Sequence, residues 1–574
     1  MDPTRMLWSG WGDPARAAPL PGQITGVLGE LLGIRPGDGR PVELTAVEPR
    51  VSRLTPEAGA ALGRIVGAGH VLTDAESRVR HTRGKSTSDL LRIRTGAVDD
   101  APDAVVLPAD HDEVLAVLRA CSRHRVAVVP FGGGTSVVGG LTPGTHDCFI
   151  ALDLRRMNRL VSVDTVSRTA VLQPGLRGPE AEALLAEQGF TLGHFPQSYE
   201  WATIGGFAAA RSSGQASAGY GRFDDMVTAL RVATPEGTLD IGRAPRSAAG
   251  PDLRQLVLGS EGAFGVITSV TVRVRPAPAT RAYEGWSFGS FAAGRDALRA
   301  LAQNGPPPTV LRLSDETETF IGLADPGSLG ASPGSGTGCL AVVGYEGTAA
   351  EVSERSTRTH AELRDRGGVF LGEAPGEKWA DGRYSAPYLR DALLDIGAFA
   401  ETLETAAFWS DIPALYENVR TALTTTLTGA GAPPVVMCHV SHVYPTGASL
   451  YFTVLCAQGD DPVAHWTLAK RAAGEAILTS GGTISHHHGV GTDHRDWYAQ
   501  EIGPLGVGIL HAVKDRLDPS GILNPGILLP PLPTPPVPSL PVPSPPVPSP
   551  PVPSPPVPSP PVPSPPVPSP PAGA

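Results

Sequence analysis

The sequence of 574 residues has few cysteines and no long hydrophobic run. The cysteines are odd in number and widely spaced, and no CxxC pair occurs, so free thiols in a reducing cytosol are expected. No apolar run reaches the roughly 18 residues that span a bilayer. The first residues, 1–4, lack a basic stretch followed by an apolar one, and we expect a cytoplasmic protein without a secretory signal. The five cysteines are Cys121, Cys148, Cys339, Cys438 and Cys456.

Charge is also scarce: 18% of the residues are charged, and the formal net charge is −11. A nucleic-acid-binding protein needs basic patches, so an acidic balance predicts no nucleic-acid partner. Proline is abundant, with 60 residues, and many of them repeat as Pro-Pro-Val-Pro-Ser after residue 530. This composition predicts a disordered polyproline II tail over 530–574, serving as a spacer or solubilising segment. A ligand for a Pro-binding partner domain is the alternative, which the period alone does not separate.

Strand and helix patterns alternate through most of the chain and predict an α+β protein. Residues Val266–Val274 alternate apolar and polar side chains, which is typical of a half-buried strand. Residues Val126–Val129 are β-branched and strand-like. The pattern divides into a mostly helical region, an α/β unit, a second α/β unit, a C-terminal segment and the tail. We place these at 1–98, 99–280, 281–434, 435–529 and 530–574.

A glycine-rich turn follows the predicted strand at 126–129. Three consecutive glycines remove every Cβ, so several backbone N–H groups can converge on one anion. The spacing is neither GxGxxG nor a Walker loop. The turn is therefore a candidate pyrophosphate cradle, with a plain tight loop as the alternative. Its residues are Pro130, Phe131, Gly132, Gly133, Gly134, Thr135 and Ser136.

Two further segments place small residues and exposed backbone donors beside a strand. Each is a weak signal alone, but three such segments in this order, within about 140 residues, form a specific combination. The candidate cofactor-binding residues in these two segments are Gln197, Ser198, Thr203, Gly205, Gly206, Arg211, Ser212, Ser213, Glu261, Gly262, Ala263, Phe264, Gly265, Val266 and Ile267.

Together the three segments resemble the FAD-binding domain of the vanillyl-alcohol-oxidase-type flavoproteins. Within that group the chain is most similar to the alkyldihydroxyacetonephosphate synthase (alkylglycerone-phosphate synthase) family. The resemblance implies a two-subdomain FAD-binding domain, an α/β cap domain and helical extensions. It extends over segments 7–12, 311–313, 388–391, 401–405, 450–452 and 485–491, of which the triple-histidine block is the most discriminating.

The resemblance also implies a reaction. The family exchanges the acyl group of acyl-dihydroxyacetone phosphate for a fatty alcohol in ether lipid synthesis, without net redox change, through a flavin N5 adduct. The catalytic tyrosine of the family falls on Tyr451, and its phosphate-binding arginines fall on Arg312 and Arg390. Its catalytic histidines fall on His486, His487 and His488. A tyrosine can act as the base only if nearby cations lower its pKa from about 10.

Two details of the sequence concern the FAD. The family's Glu-Pro-Asp-Ser is replaced here by Phe195-Pro196-Gln197-Ser198, which removes a negative charge near the flavin. The turn at 132–136 contains no histidine or cysteine, so non-covalent FAD is expected.

Other readings of the same residues stay open. On an extended segment His486 and His488 share a face, so one metal could take two of them, with His494 as a third ligand. We favour active-site imidazoles and predict no metal. An FAD-dependent D-2-hydroxy-acid dehydrogenase is the alternative enzyme, and a scaffold displaying the tail is the non-enzymatic alternative. We further expect a lipid substrate, a homodimer and peripheral membrane contact.

Overall fold

The computed structural model describes residues 5–34, 39–144, 146–322, 338–531 and 564. The tail predicted at 530–574 lies outside the described residues, apart from 530, 531 and 564. The described residues up to Pro530 pack as one compact unit.

The N-terminal region is mainly helical where it is described. Three of its helices begin with a side-chain cap, in which Thr55, Asp74 or Ser86 accepts a hydrogen bond from a backbone N–H of the first turn. The elements are α1 (Gly22–Leu32), α2 (Pro56–Val66), β1 (Val71–Leu72), α3 (Ala75–Arg80) and α4 (Thr87–Arg94).

A four-stranded sheet in the order β1-β2-β4-β3 follows. The β2–β4 and β3–β4 pairs are parallel and their strands are buried, as expected for strands covered on both faces. Residues 522–524, late in the chain, complete this sheet, because Val128 donates to the Ile522 carbonyl and accepts from Asn524. The elements are β2 (Ala104–Val106), α5 (His111–His124), β3 (Ala127–Phe131) and β4 (Phe149–Asp153).

A five-stranded antiparallel sheet, in the order β5-β6-β10-β8-β9, forms the second half of this unit. The alternation predicted for Val266–Val274 is confirmed: Val270 and Val272 are buried, whereas Ser269 and Thr271 are partly exposed. The strands are β5 (Leu160–Asp164), β6 (Thr169–Leu172), β8 (Val227–Thr234), β9 (Gly237–Ile241) and β10 (Val266–Arg273), with β7 (Phe190–Thr191) paired to β11 (Arg275–Pro276). The helices are α6 (Gly178–Ala186), α7 (Ile204–Ala210), α8 (Ser217–Tyr220), α9 (Phe223–Met226) and α10 (Arg254–Val257).

A seven-stranded antiparallel sheet, in the order β15-β12-β14-β13-β17-β18-β16, carries the third part of the fold. Strands from both sides of the boundary predicted at residue 434 belong to it, so 435–457 pair with the preceding segment. The strands are β12 (Thr280–Phe288), β13 (Val310–Ser314), β14 (Cys339–Gly347), β15 (Val369–Gly372), β16 (Ala398–Phe408), β17 (Val435–Val443) and β18 (Gly447–Ala457). The helices are α11 (Phe291–Gln303), α12 (Glu316–Ile321), α13 (Ala349–Asp365), α14 (Ala374–Gly382), α15 (Ala386–Asp395), α16 (Ile412–Gly429), α17 (Pro462–Thr479) and α18 (Arg495–Leu517).

The two faces of this sheet have different roles. Leu313, Leu450 and Phe452 belong to a core in which helices such as α11 and α16 cover one face. Because side chains alternate along a strand, their neighbours Arg312 and Tyr451 project from the opposite face, where both line a cavity.

No helix of the described ranges has the length and hydropathy required to cross a membrane. The five cysteines form no disulfide, and four of them are buried.

Candidate active site

The three glycine-containing turns pack directly against one another. A Cβ added at Gly133 would overlap the carbonyl oxygen of Trp201 in the second segment. A Cβ added at Gly262, in the third segment, would lie 2.8 Å from Cγ of Pro130 in the first. Such distances are too short for real Cβ atoms, so these glycines allow the three turns to meet.

A cavity of about 470 Å³ lies against these turns, within the size range of small-molecule and cofactor sites. Most of the cofactor-binding residues predicted from the sequence line it. They are Pro130, Phe131, Gly132, Gly133, Gly134, Thr135, Ser136, Gln197, Ser198, Thr203, Gly205, Gly206, Ser212, Ser213, Glu261, Gly262, Gly265, Val266 and Ile267.

Three predicted cofactor-binding residues do not line the cavity. The Arg211 side chain instead donates to the carbonyl oxygens of Leu258 and Gln255. Phe264 is 1% exposed. Together with Ala263 it packs in an apolar cluster against residues 527–529. These three were predicted as parts of whole motifs, whereas only one side of each turn faces the cavity, and their contact with a cofactor stays a prediction.

The side of the cavity formed by the three glycine-containing turns is called the cofactor side. Asn524, which the sequence analysis did not predict, links two segments on this side. Its side-chain amide donates to the carbonyl oxygens of Glu261, at 2.6 Å, and Gly140, at 3.1 Å. The Glu261 carboxylate in turn accepts from the backbone N–H groups of Val490 and Gly491, just after the histidine block. Burial raises the pKa of Glu261 to about 7. The third turn is thereby connected to the histidine loop.

The side of the cavity formed by the seven-stranded sheet is called the substrate side. Here three side chains lie in a row on adjacent strands. Tyr451 is in register with Glu404 on one neighbouring strand and with His439 on the other. The rings of His439 and Tyr451 stack at 5.0 Å, and the tyrosine hydroxyl donates to Thr402 at 3.0 Å. The sheet therefore fixes the position of Tyr451 from both sides.

Glu404 holds the histidine loop. Its carboxylate accepts hydrogen bonds from the backbone N–H groups of His486, His487 and His488, at 2.7 to 3.0 Å, and from the Ser485 hydroxyl at 2.8 Å. The side chain is 1% exposed, and the backbone N–H groups that donate to it stabilise the charged carboxylate against the opposing effect of burial. One buried carboxylate thus fixes the conformation of the triple-histidine segment.

This anchoring overturns the expected arrangement of the histidines. The segment turns around Glu404 and is not a strand, so His487 and His488 both line the cavity. His486 lies behind them, is 6% exposed, and its Nε2 is 2.6 Å from the hydroxyl of Tyr444.

The imidazoles that converge also differ from His486, His488 and His494, the group considered as the alternative metal site. Ring nitrogens of His442, His486 and His487 lie within 4.8 Å of one another. Nδ1 of His486 is 2.9 Å from Nδ1 of His487, and His442 contacts Ser449 and the Gly214 carbonyl. Hydrogen bonds thus satisfy His442 and His486 without an ion, and the absence of a metal stays a prediction.

Burial sets the protonation states on the substrate side. It lowers the pKa of the His487 imidazole, and that of His488 to about 3, so both rings are neutral at pH 7. Burial raises the pKa of Tyr451 to about 12, and the Glu401 and Glu404 carboxylates add to this effect. The condition under which a tyrosine could act as the base is therefore not met, and the Tyr451 hydroxyl keeps its proton at neutral pH.

The two arginines predicted to bind phosphate line the same cavity, but each already has a carboxylate partner. Arg312 contacts Glu318 at 2.9 Å and His439 at 2.9 Å. Arg390 contacts Asp391 at 3.0 Å and donates to the Lys85 carbonyl at 2.6 Å. Both guanidinium groups are therefore hydrogen-bonded within the cavity wall, and phosphate binding by either stays a prediction.

One part of the cavity wall is apolar. Five side chains from α15 and from three neighbouring strands contact one another there and also line the cavity. They are Leu389, Leu393, Ala400, Met437 and Leu455.

Two known protein families match separate parts of the chain, and these parts correspond to the cofactor side and the substrate side of the cavity. The family described as "FAD binding domain" matches residues 102–241, and the family described as "FAD linked oxidases, C-terminal domain" matches residues 277–528.

Full-length relatives carry more specific names. The chain is 33% identical to alkyldihydroxyacetonephosphate synthase of Trypanosoma brucei brucei, over 90% of this chain and 91% of that one. It is 35% identical to the enzyme of the same name from Dictyostelium discoideum, over 79% and 77% of the two chains. The chain belongs to the alkyldihydroxyacetonephosphate synthase family. A solved structure of an alkyldihydroxyacetonephosphate synthase superposes with a TM-score of 0.78, at 30% identity, covering 92% of this chain and 99% of that one.

More distant relatives include a mitochondrial D-lactate dehydrogenase (cytochrome) of Arabidopsis thaliana, 28% identical over 74% of this chain and 73% of that one. The alternative reading as a D-2-hydroxy-acid dehydrogenase is therefore not favoured over membership of the synthase family.

The chain is an FAD-binding flavoprotein, and the residues present fit this cofactor. The packed glycine turns leave backbone without Cβ atoms beside the cavity, as a diphosphate requires. Buried polar atoms of Gln197 (Nε2) and Gln215 (Oε1) in the cavity wall have no hydrogen-bond partner among the described residues, so a polar ring system can satisfy them.

Sequence reasoning missed several residues of this site. Glu404 and Asn524 act through backbone groups distant in sequence, and no local motif signals such contacts. His439 and His442 did carry a signal, because two histidines interrupt an otherwise apolar strand at 435–443.

Proposed function

We propose that the chain catalyses the reaction named by its relatives, with FAD as cofactor. In this reaction a fatty alcohol replaces the acyl group of acyl-dihydroxyacetone phosphate, giving an ether lipid precursor and a free fatty acid. The observation that carries the proposal is the composition of one cavity, in which the cofactor turns, the imidazole–tyrosine group and an apolar wall meet. A small polar hydroxy acid has no use for the apolar wall.

The neutral imidazoles supply the base. Exchange requires removal of a proton from the carbon that carries the acyl group, which is acidified by the adjacent ketone. Nδ1 of His487 is engaged by His486, whereas Nε2 has no hydrogen-bond partner among the described residues. We assign proton removal to Nε2 of His487, with His488 as the neighbouring neutral imidazole, its ring centre 4.8 Å away. The same nitrogen returns the proton after the alcohol has added.

Tyr451 acts as a hydrogen-bond donor in this proposal. Its hydroxyl carries its proton at neutral pH and, turned from Thr402 towards the substrate, stabilises negative charge that develops on an oxygen. Bound FAD supplies a ring nitrogen that can serve as nucleophile with no net change of redox state. The departing fatty acid takes up the proton that the incoming alcohol loses.

The apolar wall accounts for the lipid chain. Burying each methylene group there is worth about 0.8 kcal/mol, so even part of a fatty chain contributes substantially to binding. Arg312 and Arg390 remain proposed substrate-side residues that hold the cavity wall around the polar end of the substrate.

The decisive experiment compares two substrates on purified holoprotein. Acyl-dihydroxyacetone phosphate with labelled hexadecanol should give labelled alkyl product, and anaerobic D-lactate should leave the flavin absorbance unchanged. Bleaching of the flavin by D-lactate, with no ether product, would refute the synthase proposal.

Association with other molecules forms a separate set of proposals. A substrate with a long alkyl chain partitions into membranes, which supports peripheral membrane contact for a cytoplasmic enzyme. Flotation with phosphatidylcholine vesicles tests this contact, and light scattering after gel filtration tests the homodimer expected from the sequence. A partner for the Pro-rich tail stays a sequence-based prediction.

A further inference from the structure

Three arginines line the described part of the cavity, and their partners differ. Arg312 is paired with Glu318, and Arg390 is paired with Asp391. Arg383 forms no ion pair with any residue that the structure describes. A doubly charged anion entering the cavity would therefore find two neutralised guanidinium groups and one whose charge is uncompensated.

Arg383 is partly exposed, and its guanidinium group lies against two aromatic rings. It caps the C-terminal end of α14, and its guanidinium carbon lies 5.1 Å from the ring centre of Phe195 and 5.0 Å from that of Tyr384. Aromatic faces attract the cation and orient its plane. Its Nη1 is buried without a hydrogen-bond partner. An orphaned, charged donor is costly, and an anionic ligand would satisfy it.

Two neutral side chains extend this polar patch. Gln215 donates to the main-chain oxygen of Arg383 at 3.1 Å, which places the amide beside the arginine. Its Oε1, like Nε2 of Gln197, is buried and has no partner among the described residues. Both glutamines line the same cavity, so hydrogen-bond donors and an acceptor accompany the cation there.

We propose that Arg383 binds the phosphate group of the substrate. The inference rests on the proposed function, which supplies a phosphorylated ketone. The planar fork of arginine pairs two phosphate oxygens at once, and a dianion compensates the charge that Arg383 alone leaves open. Arg312 and Arg390, each with a carboxylate partner, then position the cavity wall and are not the principal phosphate ligands.

The test is calorimetric titration of the FAD-loaded protein, which does not depend on turnover. Dihydroxyacetone phosphate is compared with dihydroxyacetone, which lacks the phosphate. Arg383→Gln should weaken binding of the phosphorylated compound by about tenfold or more, and leave that of dihydroxyacetone unchanged. Arg383→Lys keeps the charge without the fork and should give an intermediate affinity. Arg366→Gln, at an exposed ion pair with Glu362 on the same part of the fold, is the matched control.

The outcomes separate this proposal from the proposed function. Ether product from the wild-type enzyme, with unchanged phosphate binding in Arg383→Gln, would overturn the role of Arg383 alone. Phosphate binding that depends on Arg383, without ether product, would refute the synthase function and support the anion site. Loss of FAD from Arg383→Gln would assign the residue to the cofactor and overturn the proposal.

Discussion

The two sides of the cavity are built in different ways. On the cofactor side, backbone meets backbone, because glycines such as Gly133 and Gly262 let three turns interlock. On the substrate side, side chains from several strands converge, and a buried carboxylate, Glu404, holds the loop that carries the histidines. The first side depends on the absence of side chains and the second on their exact partners. Substitutions should therefore affect cofactor loading on one side and turnover on the other.

The largest expected effect is on turnover, from Glu404→Gln. The amide keeps the shape of the carboxylate but turns an acceptor into a donor that faces backbone N–H groups of the histidine loop. A displacement of the imidazoles by about 1 Å is enough to lower kcat about 100-fold. Steady-state kinetics on protein with an unchanged flavin spectrum measures this effect. Glu417→Gln, on the exposed face of α16, is the control, and an unaltered kcat in Glu404→Gln would contradict the anchoring role.

A second substitution, Gly133→Ala, tests the cofactor side. The added methyl group overlaps the carbonyl oxygen of Trp201, so the two turns must separate. We expect the free energy of unfolding to fall by about 1–3 kcal/mol, together with lower FAD content after purification. Denaturant unfolding and the ratio of flavin to protein absorbance check both. Gly69→Ala, where a new Cβ meets no atom within 4 Å, is the control. Normal stability and loading in Gly133→Ala would show that the turns need not meet closely.

Tyr451→Phe should have a smaller effect, confined to turnover. Loss of one hydrogen bond to a developing charge lowers kcat about tenfold, without changing FAD content. Because the pKa of Tyr451 is raised to about 12, its removal should leave the pH dependence of kcat unchanged between pH 5 and 9. Disappearance of a basic group from that profile would instead identify Tyr451 as the base.

The smallest effect concerns the pH dependence of stability. The pKa of His488 is about 3 in the folded protein and near its ordinary value of 6.5 after unfolding. The unfolded chain therefore binds the proton more readily, and the stabilisation is complete above about pH 6.5 and declines as the pH falls towards 3. We expect the Tm of the unsubstituted protein to decrease from pH 7 to pH 5, and the Tm of the His488→Asn variant to decrease less. Equal decreases would show that His488 is not buried as a neutral ring.

The same contrast explains how much could be predicted from the sequence. Glycine-rich turns beside a strand form a local pattern, so the motif at 130–136 indicated the cofactor side. Arg211, Ala263 and Phe264 were predicted with their motifs but do not line the cavity, because a motif does not say which side of a turn faces it. Glu404 and Tyr451 meet only because β16 pairs with β18, and that register depends on the packed sheet. No sequence pattern indicated Arg383, because its proposed role depends on the lack of a carboxylate partner among the described residues.

One consequence follows from the way that residues 522–524 complete the first sheet. Asn524 reaches Gly140, which lies 384 positions earlier. A nascent polypeptide therefore lacks the residues that complete the first sheet and link Gly140 to Glu261 until nearly all of its described length has been synthesised. Binding of FAD should therefore require a chain that extends through these residues. Chains that terminate earlier should contain no flavin and should be sensitive to proteolysis.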